Sequence, residues 1–263
     1  MNRINKLFTE KGKRILSIFT TAGYPTGECT MEVLEILEKN EVDLIEVGMP
    51  FSDPLADGPI IQNSSLVAID NGMTLKRLFA DLHELRAKVQ VPIILMGYMN
   101  TVMQYGVSSF CKKCEEVGVD GVILPDLPLN EYQEMYETVF TKHGLINVFL
   151  ITPQTSEERI RKLDHASKGF LYLVSSASTT GSNKEVNGVD DYLKRIQSMN
   201  LNSNTIVGFN IKDKASFETA CRYSDGAIIG SAFVKAIAGS KDLNTDITNF
   251  IESITEKVRT NEN

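Results

Sequence analysis

The feature that most constrains this chain is a regular alternation. Eight short apolar runs, at 15–20, 44–47, 92–96, 121–124, 146–151, 170–174, 205–208 and 226–229, are each followed by a segment with helical periodicity. Runs apolar on both faces and separated by amphipathic helices predict a buried parallel sheet. Eight such units in a chain of 263 residues predict closure into an α/β fold, a (β/α)8 TIM barrel. An open doubly wound sheet is the rival, but no G-x-G-x-x-G follows the first run.

The expected helices cover 28–40, 60–88 with a break at Asn71-Gly72, a segment ending at Val117, 189–199, 214–222 and 242–258. Asn130 with Gln133, and Thr155 with Glu158, have the spacing of capping boxes for two more. After Asn130, the residues Tyr132, Met135, Tyr136, Val139 and Phe140 recur at a 3.6-residue period and predict one buried face. An N-terminal amphipathic helix places Ile4, Leu7 and Phe8 together, and short extra helices are expected after strands two and eight. Residues 1–263 read as a single domain. A faint internal echo places an Asp just before strands two, four and eight, in D-L-I-E-V-G from Asp43, D-G-V-I-L-P from Asp120 and D-G-A-I-I-G from Asp225.

Composition narrows the partners. Net charge is −7 without a basic cluster, which argues against nucleic acid. No apolar run approaches the roughly 20 residues of a membrane helix, and the first residues lack the apolar core of a secretion signal. Cys111 and Cys114 form a C-x-x-C on an amphipathic helix without a second pair, so reduced thiols and a cytoplasmic location are expected. His83, His143 and His165 all fall on outer helices, which leaves neither a histidine-metal site nor a Ser-His-Asp triad.

In a barrel, chemistry gathers at the C-terminal ends of the strands. Glu46 stands in D-L-I-E-V-G-M-P, where alternation puts Leu44, Glu46 and Gly48 on one face. A carboxyl in an apolar cup has a raised pKa and suits proton transfer near neutral pH. Asp57, in L-A-D-G-P, either faces a substrate N–H or is an ordinary turn residue. Asp53, in S-D-P, reads as a turn or interface residue. Tyr172 either lines the pocket or is a core tyrosine with a satisfied hydroxyl. Glycines at the ends of strands seven and eight, with Asn210 and Ser231 beside them, and Gly181 in the sixth loop, fit a phosphate site; Gly230 and Ser231 open a helix.

The stretch L-I-E-V-G-M-P-F-S-D-P-L-A-D-G-P-I-I-Q resembles the tryptophan synthase alpha chain family. So do F-T-T-A-G-Y-P, Y-M-N, V-G-V-D-G-V-I-L-P-D-L-P and D-G-A-I-I-G-S-A-F-V-K, across essentially the whole chain. The resemblance implies retro-aldol cleavage of indole-3-glycerol phosphate to indole and glyceraldehyde 3-phosphate, without metal or cofactor. It implies Glu46 as the acid–base residue, Asp57 as the carboxylate on the indolenine N–H, and Tyr172 beside the acid. Phe19, Ile61 and Met96 fall where the family packs the indole ring, and Thr180 lies in the substrate-facing sixth loop. Gly181, Asn210, Gly230 and Ser231 fall at its phosphate contacts. The implied partner is a pyridoxal-phosphate-dependent beta chain in an alpha2beta2 tetramer, with Pro50, Asp53 and Asn100 on the docking loops. Two positions depart from the family: Asn210 replaces a glycine, and Ser176 an arginine. Three alternatives stay open: a stand-alone lyase, a regulatory subunit with little activity of its own, and another phosphosugar barrel enzyme.

Overall fold

Eight parallel strands close on themselves in chain order, with β1 hydrogen-bonded to both β2 and β8. They are β1 Ile15–Thr21, β2 Leu44–Gly48, β3 Ile93–Met96, β4 Gly121–Ile123, β5 Ile146–Ile151, β6 Phe170–Val174, β7 Asn204–Gly208 and β8 Gly226–Ile229. The computed structural model describes residues 1–55, 57–174, 185–208 and 210–255. Closure excludes the open-sheet rival and defines a TIM barrel.

Around the strands, in chain order, lie α1 Arg3–Glu10, α2 Thr30–Lys39, α3 Pro59–Asp70, α4 Leu75–Asp81, α5 Leu85–Lys88, α6 Met99–Tyr105 and α7 Val107–Val117. The second half adds α8 Leu129–Glu131, α9 Glu137–Lys142, α10 Glu157–Ala166, α11 Glu185–Ser198, α12 Lys214–Tyr223, α13 Ser231–Ala236 and α14 Leu243–Thr255. The amphipathic faces bury as their periodicity predicts: Val33, Leu34 and Leu37 on α2, and Ile247, Ile251 and Ile254 on α14. Cys111 and Cys114 are free thiols on the buried face of α7. Burial pushes the Cys111 thiol up to about 12.

Local chemistry corrects several expectations. Asn130 does not cap its helix. Pro128 occupies the N-cap, and its carbonyl accepts from Tyr132 N at 2.9 Å, so the helix winds earlier and buries Leu129. A π-helical turn follows over Tyr132–Tyr136. Its extra residue per turn breaks the 3.6-residue period, so Tyr132 and Phe140 are buried while Met135 is 64% exposed. Thr155 does not cap α10 either. Its Oγ1 accepts from Thr152 N and closes the preceding turn, and Ser156 caps the helix by accepting from Arg159 N. The segment ending at Val117 is two helices, because Gly106 between them has φ +89.

The repeated Asp has a structural explanation. Asp43 Oδ2 accepts from Leu16 N, Asp120 Oδ2 from Ile93 N, and Asp225 Oδ2 from Thr205 N, at 2.8, 2.9 and 2.8 Å. Each carboxylate thus holds the start of the neighbouring strand and satisfies a backbone N–H at the barrel's lower rim. Each also meets a cation: Lys11, Lys13 and, for Asp120, both Arg3 and Arg86. Below them α1 closes the base. Asn2 Nδ2 donates to the carbonyls of Asp120 and Gly144, and Ile4, fully buried, approaches the inner faces of Gly121 and Gly169. The stability-bearing polar groups lie at this end, which leaves the opposite rim for chemistry.

Candidate active site

At the upper rim, the strands β1 and β3 and the connections after β2, β3 and β4 enclose a pocket lined by Phe19, Ile61, Met96, Tyr98, Asp57 and Pro125, with Gly48 and Gly97 at the strand ends. Phe19, Ile61 and Met96, drawn from three separate elements, therefore share one apolar cavity. Gly48 is required there by close approach: a Cβ on it would lie 2.6 Å from Phe19 Cζ.

Glu46 sits one inward position below Gly48 and registers with Phe19 on β1. It is fully buried. Its Oε1 accepts from Ser17 Oγ at 3.2 Å, and its Oε2 has no hydrogen-bond partner among the described residues. Burial in this apolar layer pushes its carboxyl up to about 8, opposed by the Ser17 hydrogen bond. Among the described residues no lysine or arginine offsets the desolvation, so near neutral pH the carboxyl holds its proton.

Asp57 is carried on the loop that leaves β2 and is 7% exposed. The loop is fixed on both sides. Asp57 N donates to Pro54 O, while Gln62 Nε2 donates to Asp57 O at 2.8 Å. Gly58 then caps α3, with Pro59 starting it. The Asp57 carboxylate accepts from Tyr98 Oη at 3.5 Å. Burial raises its pKa to about 6, and the Tyr98 hydrogen bond opposes the rise.

Tyr172, on the inner face of β6, connects the two acids. It is buried, and its hydroxyl is held well above the usual range by burial first, then by the charges of Glu46 and Asp57. The charges of both carboxyls are thus felt at one phenol. That phenol lies over Gly208 at the end of β7, where any Cβ would collide with it. Gly230, at the end of β8, stands beside two of the residues that line the cavity: a Cβ there would lie 3.5 Å from Ile61 Cδ1 and 3.6 Å from Phe19 Cβ. Ser231 follows, half-buried, as the first residue of α13. Asn210 is exposed and adopts φ +59, a left-handed conformation that Asn tolerates and that a glycine would also take. Thr180, Gly181 and Ser176 lie outside the described residues.

The docking-loop candidates lie on the rim's outer side. Pro50 is half-buried, Asp53 and Asn100 are exposed, and Leu55 between them in sequence is 84% exposed. The two loops are joined: the Phe51 ring stacks on Tyr98 at 4.9 Å with 28° between planes. Asp126, from the end of β4, accepts from Met99 N through both carboxylate oxygens and fixes the start of α6.

Sequence reasoning missed Ser17, Tyr98, Gln62 and Asp126 as parts of this site. Ser17 left a signal, a hydroxyl on an inward position of an otherwise apolar strand. Tyr98 was visible in Y-M-N, but as a docking residue rather than a partner of Asp57. Among the described residues, His83 and His143 bond to an outer-helix carbonyl and to Glu115, away from this rim.

Fold and pocket define a class: TIM-barrel proteins with carboxyl groups desolvated at the C-terminal mouth, where barrel enzymes do their chemistry. Comparison with known proteins narrows it. The family model described as tryptophan synthase alpha chain matches residues 6–262. The chain is 57% identical to the tryptophan synthase alpha chain of Flavobacterium psychrophilum over 236 residues, 89% of this chain and 93% of that one. It is 52% identical to that of Christiangramia forsetii, covering 98% and 99% of the two. The solved tryptophan synthase subunit alpha of Legionella pneumophila superposes with a TM-score of 0.85 at 32% identity, over 97% of each chain. The chain belongs to the tryptophan synthase alpha chain family. Its role is that of an alpha subunit in tryptophan biosynthesis, with lyase activity.

Proposed function

We propose that this chain cleaves indole-3-glycerol phosphate to indole and glyceraldehyde 3-phosphate. The observation that carries the reading is the pair of burial-raised carboxyls, Glu46 at about 8 and Asp57 at about 6, their charges felt at one phenol beside an apolar pocket. Two acids with different environments can divide two roles.

Glu46, protonated near neutral pH, delivers its proton to indole C3. The ring becomes an indolenine whose nitrogen carries the positive charge, and Asp57, ionised above about pH 6, accepts the N–H hydrogen bond. Glu46, now a carboxylate, takes the proton from the hydroxyl on the carbon attached to C3. That carbon becomes an aldehyde, the bond to C3 breaks, and its electron pair restores neutral indole. Glu46 ends with the proton count it began with. Phe19, Ile61 and Met96 pack the ring, with Tyr172 beside the acid. Gly230, Ser231, Asn210 and, from the sixth loop, Gly181 take the phosphate end, and Thr180 faces the substrate.

The chain's own step draws on these side chains and no cofactor. Pyridoxal phosphate belongs to the proposed partner, a beta chain that receives indole in an alpha2beta2 assembly. The Legionella structure is itself named a subunit. Pro50, Asp53 and Asn100 form the docking surface on this side. The test is indole release from indole-3-glycerol phosphate, with and without a beta chain, by the parent and Glu46→Gln. The substitution keeps size and polarity and removes the proton, so turnover should vanish while the fold survives. Full activity in Glu46→Gln would overturn the assignment. Parent activity unmoved by the beta chain would overturn the partnership.

A further inference from the structure

Ser17 is fully buried on the inner face of β1, registered between Leu44 on β2 and Ile228 on β8. Both neighbours are apolar, and an aliphatic residue would pack there without desolvating a hydroxyl, which is costly unless the group is paired. Among the described residues its Oγ has one hydrogen-bond partner, Glu46 Oε1. The hydroxyl supplies one proton and the carboxyl has two oxygens, so the bond divides them: Oε1 is occupied as an acceptor while Oε2 is left without a partner.

We propose that Ser17 is a positioning residue for Glu46, fixing Oε1 as the accepting oxygen and so assigning the transferable proton to Oε2. A carboxyl whose Oε1 receives a donor carries its own proton on the other oxygen, because a proton on Oε1 would compete with the Ser17 hydrogen. The same bond stabilises the carboxylate left after proton delivery, which makes Glu46 a readier donor than burial alone would allow. The groups around Glu46 are Ser17 and the apolar Phe19 from β1, the apolar Ile94 from β3 and, through their charge coupling, the Tyr172 phenol from β6 and the Asp57 carboxylate further along. Ser17 is the hydrogen-bond donor that opposes the rise caused by burial. The inference rests on the reading of Glu46 as the proton donor.

The experiment titrates the Glu46 carboxyl in the substrate-free chain by infrared or carbon NMR, its signal assigned by loss in Glu46→Gln. It does so in the parent, Ser17→Ala and Ser17→Thr, alongside pH profiles of indole release. A hydrogen bond to a charged group contributes on the order of one to two pH units here. Ser17→Ala should therefore move the carboxyl titration, and the matching limb of the rate profile, upward by about one unit or more. Ser17→Thr keeps the hydroxyl and should titrate like the parent. Ser→Ala adds no atoms, so it decides the matter alone if the threonine variant packs poorly. An unmoved titration in Ser17→Ala overturns the proposal. Full turnover in Glu46→Gln instead overturns the reading of Glu46 as the acid, and the two failures are separate measurements.

Discussion

The Tyr98 hydroxyl stands 3.5 Å from Asp57 Oδ2, so an acid carried on the loop after β2 is tuned by a residue at the end of β3. Tyr98 opposes the burial that lifts Asp57 to about 6. Tyr98→Phe removes the donor and leaves desolvation unopposed, so Asp57 should titrate at a higher pH. If ionised Asp57 holds the indolenine N–H, indole release near pH 6 should fall a few-fold and recover as pH rises. The effect is bounded because 3.5 Å is long for such a bond. A pH–rate profile that superimposes on the parent's would show that Tyr98 does not tune Asp57.

Glu46 predicts a stability that depends on pH in an unusual direction. In the folded chain it keeps its proton to about pH 8, whereas in an unfolded chain it loses it near the ordinary value of 4.5. Between those values the folded state binds the extra proton, so stability falls as pH rises, the reverse of a salt-bridged carboxylate. The full loss is on the order of 5 kcal/mol by pH 9. Asp57 adds a smaller loss of the same sign between its ordinary value and about 6. Glu46→Gln cannot ionise, so it should be less stable than the parent at pH 5 or equal to it, and more stable at pH 9. Urea unfolding at the two pH values reads this directly; identical slopes for parent and mutant would contradict it.

The barrel was legible because its strand-helix alternation is periodic and repeated eight times, and no other closed arrangement satisfies so many parallel, doubly buried strands. The acids were legible because Glu46 breaks an apolar strand and Asp57 sits in a stiff Pro/Gly loop. What stayed hidden was contact between elements distant in sequence. Nothing in the order of residues says that Tyr98 reaches Asp57, 41 positions away, or that Phe51 stacks on Tyr98. Helix starts were misplaced where two hydroxyls or two caps compete within a few residues, as at Thr155 and Ser156. The drift of Met135 to the surface follows from a π-turn that a fixed 3.6-residue period does not anticipate.

Asp120 should matter for folding and not for turnover. It accepts from Ile93 N at 2.9 Å and from Arg86 and Arg3 at the lower rim, on the far side of the barrel from the pocket. Asp120→Ala strands a buried N–H and removes the partner of the mostly buried Arg86. The expected cost is about 2–4 kcal/mol. In urea this appears as a lower midpoint, while kcat at 20 °C stays within a factor of two. A large fall in kcat with unchanged stability would instead mean that the lower rim communicates with the site.

Gly208 should be intolerant of even one added carbon, for a reason specific to the site. A Cβ on Gly208 would fall on the Tyr172 hydroxyl and lie within 2.5 Å of the ring edge. The tyrosine is buried on the inner face of β6, registered two positions below Gly208's own partner, Val174. Any shift of the ring changes its place relative to the two acids whose charges it already feels. Gly208→Ala should therefore cost about 1–3 kcal/mol of stability, as overpacking does. It should also lower indole release at least ten-fold by moving the phenol relative to Glu46. Tyr172→Leu in the Gly208→Ala background removes both the hydroxyl and the ring edge that the Cβ meets, and should recover part of the stability loss. Activity and urea midpoints of the two single mutants and the double mutant form the measurement. Losses that simply add, with no recovery in the double mutant, would show that the clash lies elsewhere.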